Sequence, residues 1–256
     1  MRNLTALAAL AAGVCLSAIA PSHADEADAK RLFKGMSDYL VGQNAISFDY
    51  DAELEIVTDE LQKIGFVSSG SVTVNRPDKL HMTRTGGFAN VEMTFDGKEL
   101  GILGKNLDKY AKMPVTGTID ELIDMLREFG VEAPASDLLS SNPYEIMMSN
   151  VTDIKDLGSG VIGGQECDHL AFRTTDTDWQ IWIAHGEKPY PVRFSVTSKM
   201  LAQAPSYTID IGDWKTGDAV AAGDFQLKVG DAKQVAITEM GGLDEVPDLS
   251  GAGAAQ

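Results

Sequence analysis

Between Ile46 and Ile56 the chain alternates without a break: Ile46, Phe48, Tyr50, Ala52, Leu54 and Ile56 are separated by Ser47, Asp49, Asp51, Glu53 and Glu55. Successive side chains of a strand point to opposite faces, so this stretch is a long strand with one apolar and one acidic face. Such a strand needs neighbours to pair its backbone and a cover for its apolar side. The neighbours follow in the sequence, with strand patterns at 64–75, 79–84, 90–95, 99–103 and 109–113. Arg76-Pro77-Asp78, Gly86-Gly87 and Asp96-Gly97 supply tight turns between them. Connections that short predict an antiparallel meander.

Three helices are expected. In 25–43, Ala29, Leu32, Phe33, Met36, Tyr39 and Leu40 fall on one stripe, with Gly42 as the stop. Thr118-Ile119-Asp120-Glu121 is a capping-box pattern that opens a second helix ending at Gly130. Asn142-Pro143 starts a third, short one through Met148, with Asn as cap and Pro in the first helical position. Strand patterns then resume at 151–157, 160–163, 166–174, 178–184, 192–198, 206–212 and 225–229. No repeat or linker divides 25–240, which is read as one domain, and the Gly-, Ala- and acid-rich tail 241–256 is expected to be disordered.

The fold class that follows is α+β, mainly antiparallel β: a curled half-barrel of about 10–12 strands with three helices over its concave face. A sheet that wide does not stay flat. Its apolar side turns inward, and three helices cover only part of it, which describes a container.

Residues 1–24 are a different object. Arg2 precedes an Ala- and Leu-rich stretch, and Ser22-His23-Ala24 offers a small-x-small cleavage site before Asp25-Glu26. This order reads as a secretory leader cleaved after Ala24, with export to the periplasm. Val14 before Cys15 does not fit a lipidation signal. Cys15 leaves with the leader, so Cys167 is the one remaining thiol and no intrachain disulfide is expected. The net charge of −17, from 38 acidic against 21 basic residues, argues against a nucleic-acid grip and against a polybasic hold on anionic lipid. The absence of a second long apolar stretch argues against an integral membrane protein.

Catalytic and metal patterns are sparse. His81, His169 and His185 are scattered with no HxH or HExxH spacing, so no metal or other cofactor is expected. Cys167 and His169 share a strand face and are the one candidate nucleophile pair; a buried Cys beside a hydrogen-bonded His is the favoured reading. Asp176-Thr177-Asp178 opens like a calcium loop but lacks the glycine and closing Glu, which leaves a polar hairpin tip. The aromatic residues carry more information. Phe48, Tyr50, Phe66, Phe95, Phe172, Trp179, Phe194 and Tyr207 are expected to line an apolar interior, while Trp182 takes the face opposite Trp179. An ordinary packed core uses the same residues, and alternation does not separate the two.

Several short stretches resemble a known family. Gly70-Ser71-Val72-Thr73-Val74-Asn75-Arg76-Pro77-Asp78-Lys79-Leu80 resembles the Gly…Arg-Pro strand-turn-strand of the LolA family of periplasmic lipoprotein carriers, and Thr94-Phe95-Asp96-Gly97-Lys98-Glu99-Leu100 resembles its Asp-Gly-Lys hairpin. The blocks 167–173, 178–183 and 191–194 are similar to a family of predicted periplasmic proteins of LolA/LolB-like fold (domain of unknown function 2092). The resemblance implies a half-barrel closed by helices around a cavity for acyl chains. It assigns Arg76 a part in holding the lid shut through helix-end carbonyls. Leu100-Gly101-Ile102-Leu103 departs from the carrier, which usually has an aromatic there. The expected function is therefore a periplasmic, non-enzymatic carrier for a lipid or an acylated protein, with an envelope receptor as a further candidate partner. The alternative is an envelope interaction module that recruits a partner through a free sheet edge around a simple packed core.

Overall fold

The computed structural model describes residues 26–131, 135–220, 223–243 and 246–247. The leader read at 1–24 and most of the 241–256 tail lie outside the described residues. Helix α1 (Glu26–Val41) is followed by strands β1 (Ala45–Val57), β2 (Lys63–Asn75), β3 (Lys79–Gly86), β4 (Asn90–Phe95), β5 (Glu99–Gly104) and β6 (Lys109–Pro114). Helices α2 (Ile119–Glu128) and α3 (Pro143–Met148) come next, then β7 (Asp153–Ile162), β8 (Gln165–Arg173), β9 (Thr177–Ala184), β10 (Pro191–Ser198), β11 (Ser206–Thr216) and a two-residue β12 (Lys233–Gln234). All twelve strands form one sheet in the order β12-β6-β5-β4-β3-β2-β1-β11-β10-β9-β8-β7.

The register explains why the sequence alternates where it does. Leu54 pairs with Phe66 on one side and with Tyr207 on the other, and the line continues through Val196, Trp179 and Phe172 to Ile154. A second line on the same face runs from Ile46 through Val74, Leu80, Phe95 and Leu100 to Met113. Inward positions on these strands are mostly apolar because each meets another inward position on its neighbour; Ser68 opposite Ala52 and Arg84 opposite Gly70 are polar exceptions. At about 4.8 Å per strand a flat sheet of this width spans roughly 50 Å. Yet Ile46, Leu80 and Phe95 belong to the same core as Phe172, Trp179 and Ile181, together with Phe33 and Met36 of α1 and Ile119 and Leu122 of α2. Helices about 10 Å across reach both halves only because the sheet is curled around them.

α1 earns its place by spacing. Ala29, Phe33, Met36, Ser37 and Leu40 are buried, and Ser37 Oγ satisfies itself on Phe33 O at 2.9 Å. Its outer face carries the pairs Glu26–Lys30, Asp28–Arg31 and Lys34–Asp38, and Gly42 N closes on Asp38 O. α2 has the expected capping box, with Glu121 N donating to Thr118 Oγ1 and Thr118 N to Glu121 Oε2. Pro143 does occupy the first turn of α3, but Asn142 makes no side-chain cap bond.

Three strand expectations change. The patterns at 151–157 and 160–163 are one strand, β7, interrupted by an irregularity between Asp156 and Ser159 where Gly158 takes φ 81°. β11 continues past Gly212 to Thr216 through Asp213, at φ 51°. The 225–229 alternation is not a strand: Asp224 Oδ1 caps Gln226 N at 3.1 Å, and Leu227 packs over Gly101. The chain reaches the sheet only at β12, which pairs in parallel with β6 and so departs from the antiparallel rule. Beyond it Met240 is buried, and the carbonyl of Leu243 accepts a hydrogen bond from Arg84 Nη2.

Candidate functional site

The inward face divides into two unlike halves. Over β8–β10 it is filled. Phe33 of α1 is fully buried, with its ring 5.3 Å from Phe172, 5.4 Å from Trp179 and 5.7 Å from Tyr144. Phe172 and Trp179 stack at 3.8 Å and Phe194 lies 6.0 Å beyond. These three of the eight aromatic lining candidates are brought together and capped by a helix.

The others are spread across the remaining strands. Phe95 is fully buried, and Phe48 is buried with its ring 4.7 Å from Trp214. Tyr50 is buried and its hydroxyl donates to Thr83 O at 3.1 Å. Phe66 and Tyr207 are only partly buried; Phe66 meets Phe88 edge-on at 5.8 Å, and Tyr207 stands beside it across Leu54.

Over β3–β6 the same face buries Leu80, Phe95 and Leu100, and beside them stand side chains the aromatic pattern does not point to. Met82 pairs directly with Met93, and Met93 with Ile102; Met113 lies beside Leu100. All four of Met82, Met93, Ile102 and Met113 are partly buried, as are Ile123, Met125 and Leu126 of α2 and Met147 and Met148 of α3. α2 starts at this half, because Ile119 N bonds Pro77 O in the β2–β3 turn and Gly117 N bonds Gly97 O in the β4–β5 turn. Methionine is unbranched and polarizable, so a lining rich in it reshapes around different apolar guests.

Arg76 sits at the root of α2. Its main-chain N donates to Asn44 O at 2.8 Å, and its guanidinium is partly buried, with Nε and Nη2 lacking a hydrogen-bond partner among the described residues. Burial pulls its pKa down, and Asp120 of α2 opposes that pull. The helix-end carbonyl bonds implied for it by the family resemblance are therefore not made by these two nitrogens. Replacing a poorly paired buried cation by an apolar side chain of similar length is often neutral or stabilising. Arg76→Met is expected to leave the urea stability unchanged or raise it by about 1 kcal/mol. A loss of about 2 kcal/mol or more would show that the guanidinium carries a bond that stabilises the fold.

Two depressions lie elsewhere. One, of about 370 Å³, separates α1 (Arg31, Leu32, Gly35) from Asp168, Ile183 and the 185–189 turn. Burial pushes the Asp168 carboxyl up, and His185, with Nδ1 at 3.8 Å, works against that rise. The other, of about 720 Å³, is on the outer face among Asp51, Glu53, Arg193 and Asp210. Neither is lined by the aromatic or methionine sets.

Cys167 and His169 do share the outer face but make no pair. The Cys167 thiol is fully buried with Ala184 and Val192, contacts Gln165 O at 3.5 Å, and has its pKa pushed up, chiefly by burial. His169 Nε2 bonds Gln180 Oε1 at 2.9 Å and its ring stacks on Trp182 at 4.1 Å. A buried, protonated thiol is a poor nucleophile. Among the described residues no group of three or more His, Cys, Asp or Glu converges on a metal position. None of the described helices is long and apolar enough to cross a membrane.

The chain belongs to the DUF2092 family of predicted periplasmic proteins, whose model matches residues 29–238. The periplasm is thus its compartment. No curated protein matches the sequence. Among solved structures it is similar to the lipoprotein LppX of Mycobacterium tuberculosis, at 16% identity and a TM-score of 0.47, covering 74% of this chain and 96% of that one. LprF from Mycobacterium bovis gives 10% identity and a TM-score of 0.49, covering 78% of this chain and 98% of that one. MucB of Pseudomonas aeruginosa, in its complex with MucA, gives 12% and 0.44, covering 78% and 61%.

Proposed function

We propose that this protein is a periplasmic carrier that shelters an apolar ligand, such as the acyl chain of a lipid or lipoprotein, between the β3–β6 half of its concave face and α2. The observation that supports this reading is the looser packing there: Met82, Met93, Ile102 and Met113, and Met125 of α2, are only partly buried beside the buried Leu80, Phe95 and Leu100, whereas Phe172 and Trp179 are covered by Phe33. A guest needs no catalytic group to be held. Burying about ten methylenes at roughly 0.8 kcal/mol each gives about 8 kcal/mol, an affinity near micromolar before ordering costs.

Titration with a dansyl-labelled undecanoic acid tests this. Wild type is expected to shift the probe emission to the blue with a Kd of about 1–100 μM once ordering costs are included. M82K/M93K is expected to weaken binding at least tenfold, and M82L/M93L to retain it. A folded wild-type protein that leaves the emission unchanged overturns the reading. The open edge at β7, where Leu157 and Val161 are 48% and 70% exposed, would then favour partner recruitment along the sheet edge.

A further inference from the structure

At one end of the sheet the β1–β2 hairpin projects past β3, and the β10–β11 turn extends beyond Lys199, whose N bonds Asp176 O in the β8–β9 turn. The β2–β3 ladder begins at Ser68 and Gly86, while β1 and β2 stay paired out to Val57 and Lys63, so their hairpin projects about five residues, roughly 17 Å, beyond β3. The β10–β11 hairpin runs beside it. Lys63 Nζ donates to Ala204 O at 3.4 Å, and Ser206 N donates to Glu55 Oε2 at 2.8 Å. The two tips therefore form one prow.

Its end is apolar. Leu61 is 55% exposed on one tip, and Met200 and Leu201 are 71% and 61% exposed on the other. Leu61 also holds φ at 64°, a left-handed conformation that Gly, Asn or Asp adopts with less strain. A leucine is thus kept, at a local cost, where turn chemistry favours a small polar residue and where nothing among the described residues buries it. Just behind the tips, the partly buried Phe66, Leu54, Tyr207 and Val196 lead across neighbouring strands into the concave face.

The shape selects the partner. A protein interface needs a broad complementary surface of several hundred Å² per side. Narrow tips with single protruding aliphatic side chains suit a bilayer, where each side chain inserts independently among lipid tails. The net charge of −17 disfavours an anionic surface. We propose that the β1–β2 and β10–β11 tips dock this protein on the surface of an electrically neutral lipid bilayer by inserting Leu61, Met200 and Leu201. This docking does not rest on the carrier reading.

Flotation of the protein with phosphatidylcholine–phosphatidylethanolamine vesicles tests it. Wild type is expected to float, and L61N/M200Q/L201Q to bind at least tenfold more weakly with an unchanged urea midpoint, since Asn suits the backbone at position 61. L201W is expected to shift its added tryptophan emission to the blue when vesicles are present. The proposal is overturned if wild type stays with the unbound fraction, if the triple variant floats equally, or if the L201W emission does not move. It is also overturned if flotation requires phosphatidylglycerol and disappears in salt, which is charge adsorption rather than insertion. The dansyl fatty acid reports on the carrier reading separately, and its binding is expected to survive the triple substitution.

Discussion

Phe33→Ala is expected to destabilise the fold by about 3–5 kcal/mol, the cost typical of removing a large aromatic from a close-packed site. Phe33 is fully buried and its ring lies within 6 Å of those of Phe172, Trp179 and Tyr144, which come from two strands and α3. No neighbour is placed to fill the hole. Phe172 and Trp179 are already stacked at 3.8 Å, and their strands are fixed by the ladder on both sides. The loss therefore combines transfer and cavity terms, and the cavity stays apolar. Urea unfolding followed through tryptophan emission measures it, with Trp179 as a reporter next to the lesion. Lys30→Ala, which removes one exposed ion pair from the outer face of the same helix, is expected to shift the midpoint little. Equal effects for the two would mean that α1 is not the plug of the β8–β10 half.

The contrast between the two halves of the concave face marks the limit of what alternation reveals. The strand patterns from 46 to 113, the Asp96-Gly97 turn and the Thr118–Glu121 capping box follow from local chemistry, and each appears where that chemistry requires it. Alternation also puts Trp179 and Trp182 on opposite faces of their strand, and the two lie in separate apolar clusters. It does not say what stands opposite an inward residue. Phe172 and Trp179 are sealed because a helix distant in sequence lays Phe33 on them. The methionines were within reach of the same reasoning: Met82 and Met93 lie equally far from the middle of the β3–β4 turn, so hairpin register alone makes them direct partners. Met reads as generic core, so the pattern alone does not single them out. The 225–229 pattern fails for the opposite reason. A strand needs a free edge as well as alternation, and here an Asp224 turn and the Leu227–Gly101 contact fix the segment before it reaches β6.

The second large effect is expected at Gly70, the first residue of the strand-turn-strand that ends in Arg76-Pro77. A Cβ on Gly70 would stand 2.0 Å from the carbonyl oxygen of Thr83 and 2.7 Å from the Tyr50 ring. The first contact is with backbone in the middle of the β2–β3 ladder, so no rotamer change relieves it. The second is with a ring that lies across the glycine and whose hydroxyl bonds that same Thr83 carbonyl at 3.1 Å. Gly70→Ala must part β2 from β3 or displace Tyr50, and either breaks a bond that the sheet needs at its centre. A loss of about 3 kcal/mol, at the upper end of overpacking costs, is expected from urea unfolding. Gly87 in the β3–β4 turn provides the comparison, because a Cβ there meets nothing within 4 Å. Gly87→Ala is expected to be neutral or to stabilise by about 0.4–1 kcal/mol through the unfolded state. A Gly70→Ala protein as stable as Gly87→Ala would mean that the sheet does not hold β2, β3 and Tyr50 in this register.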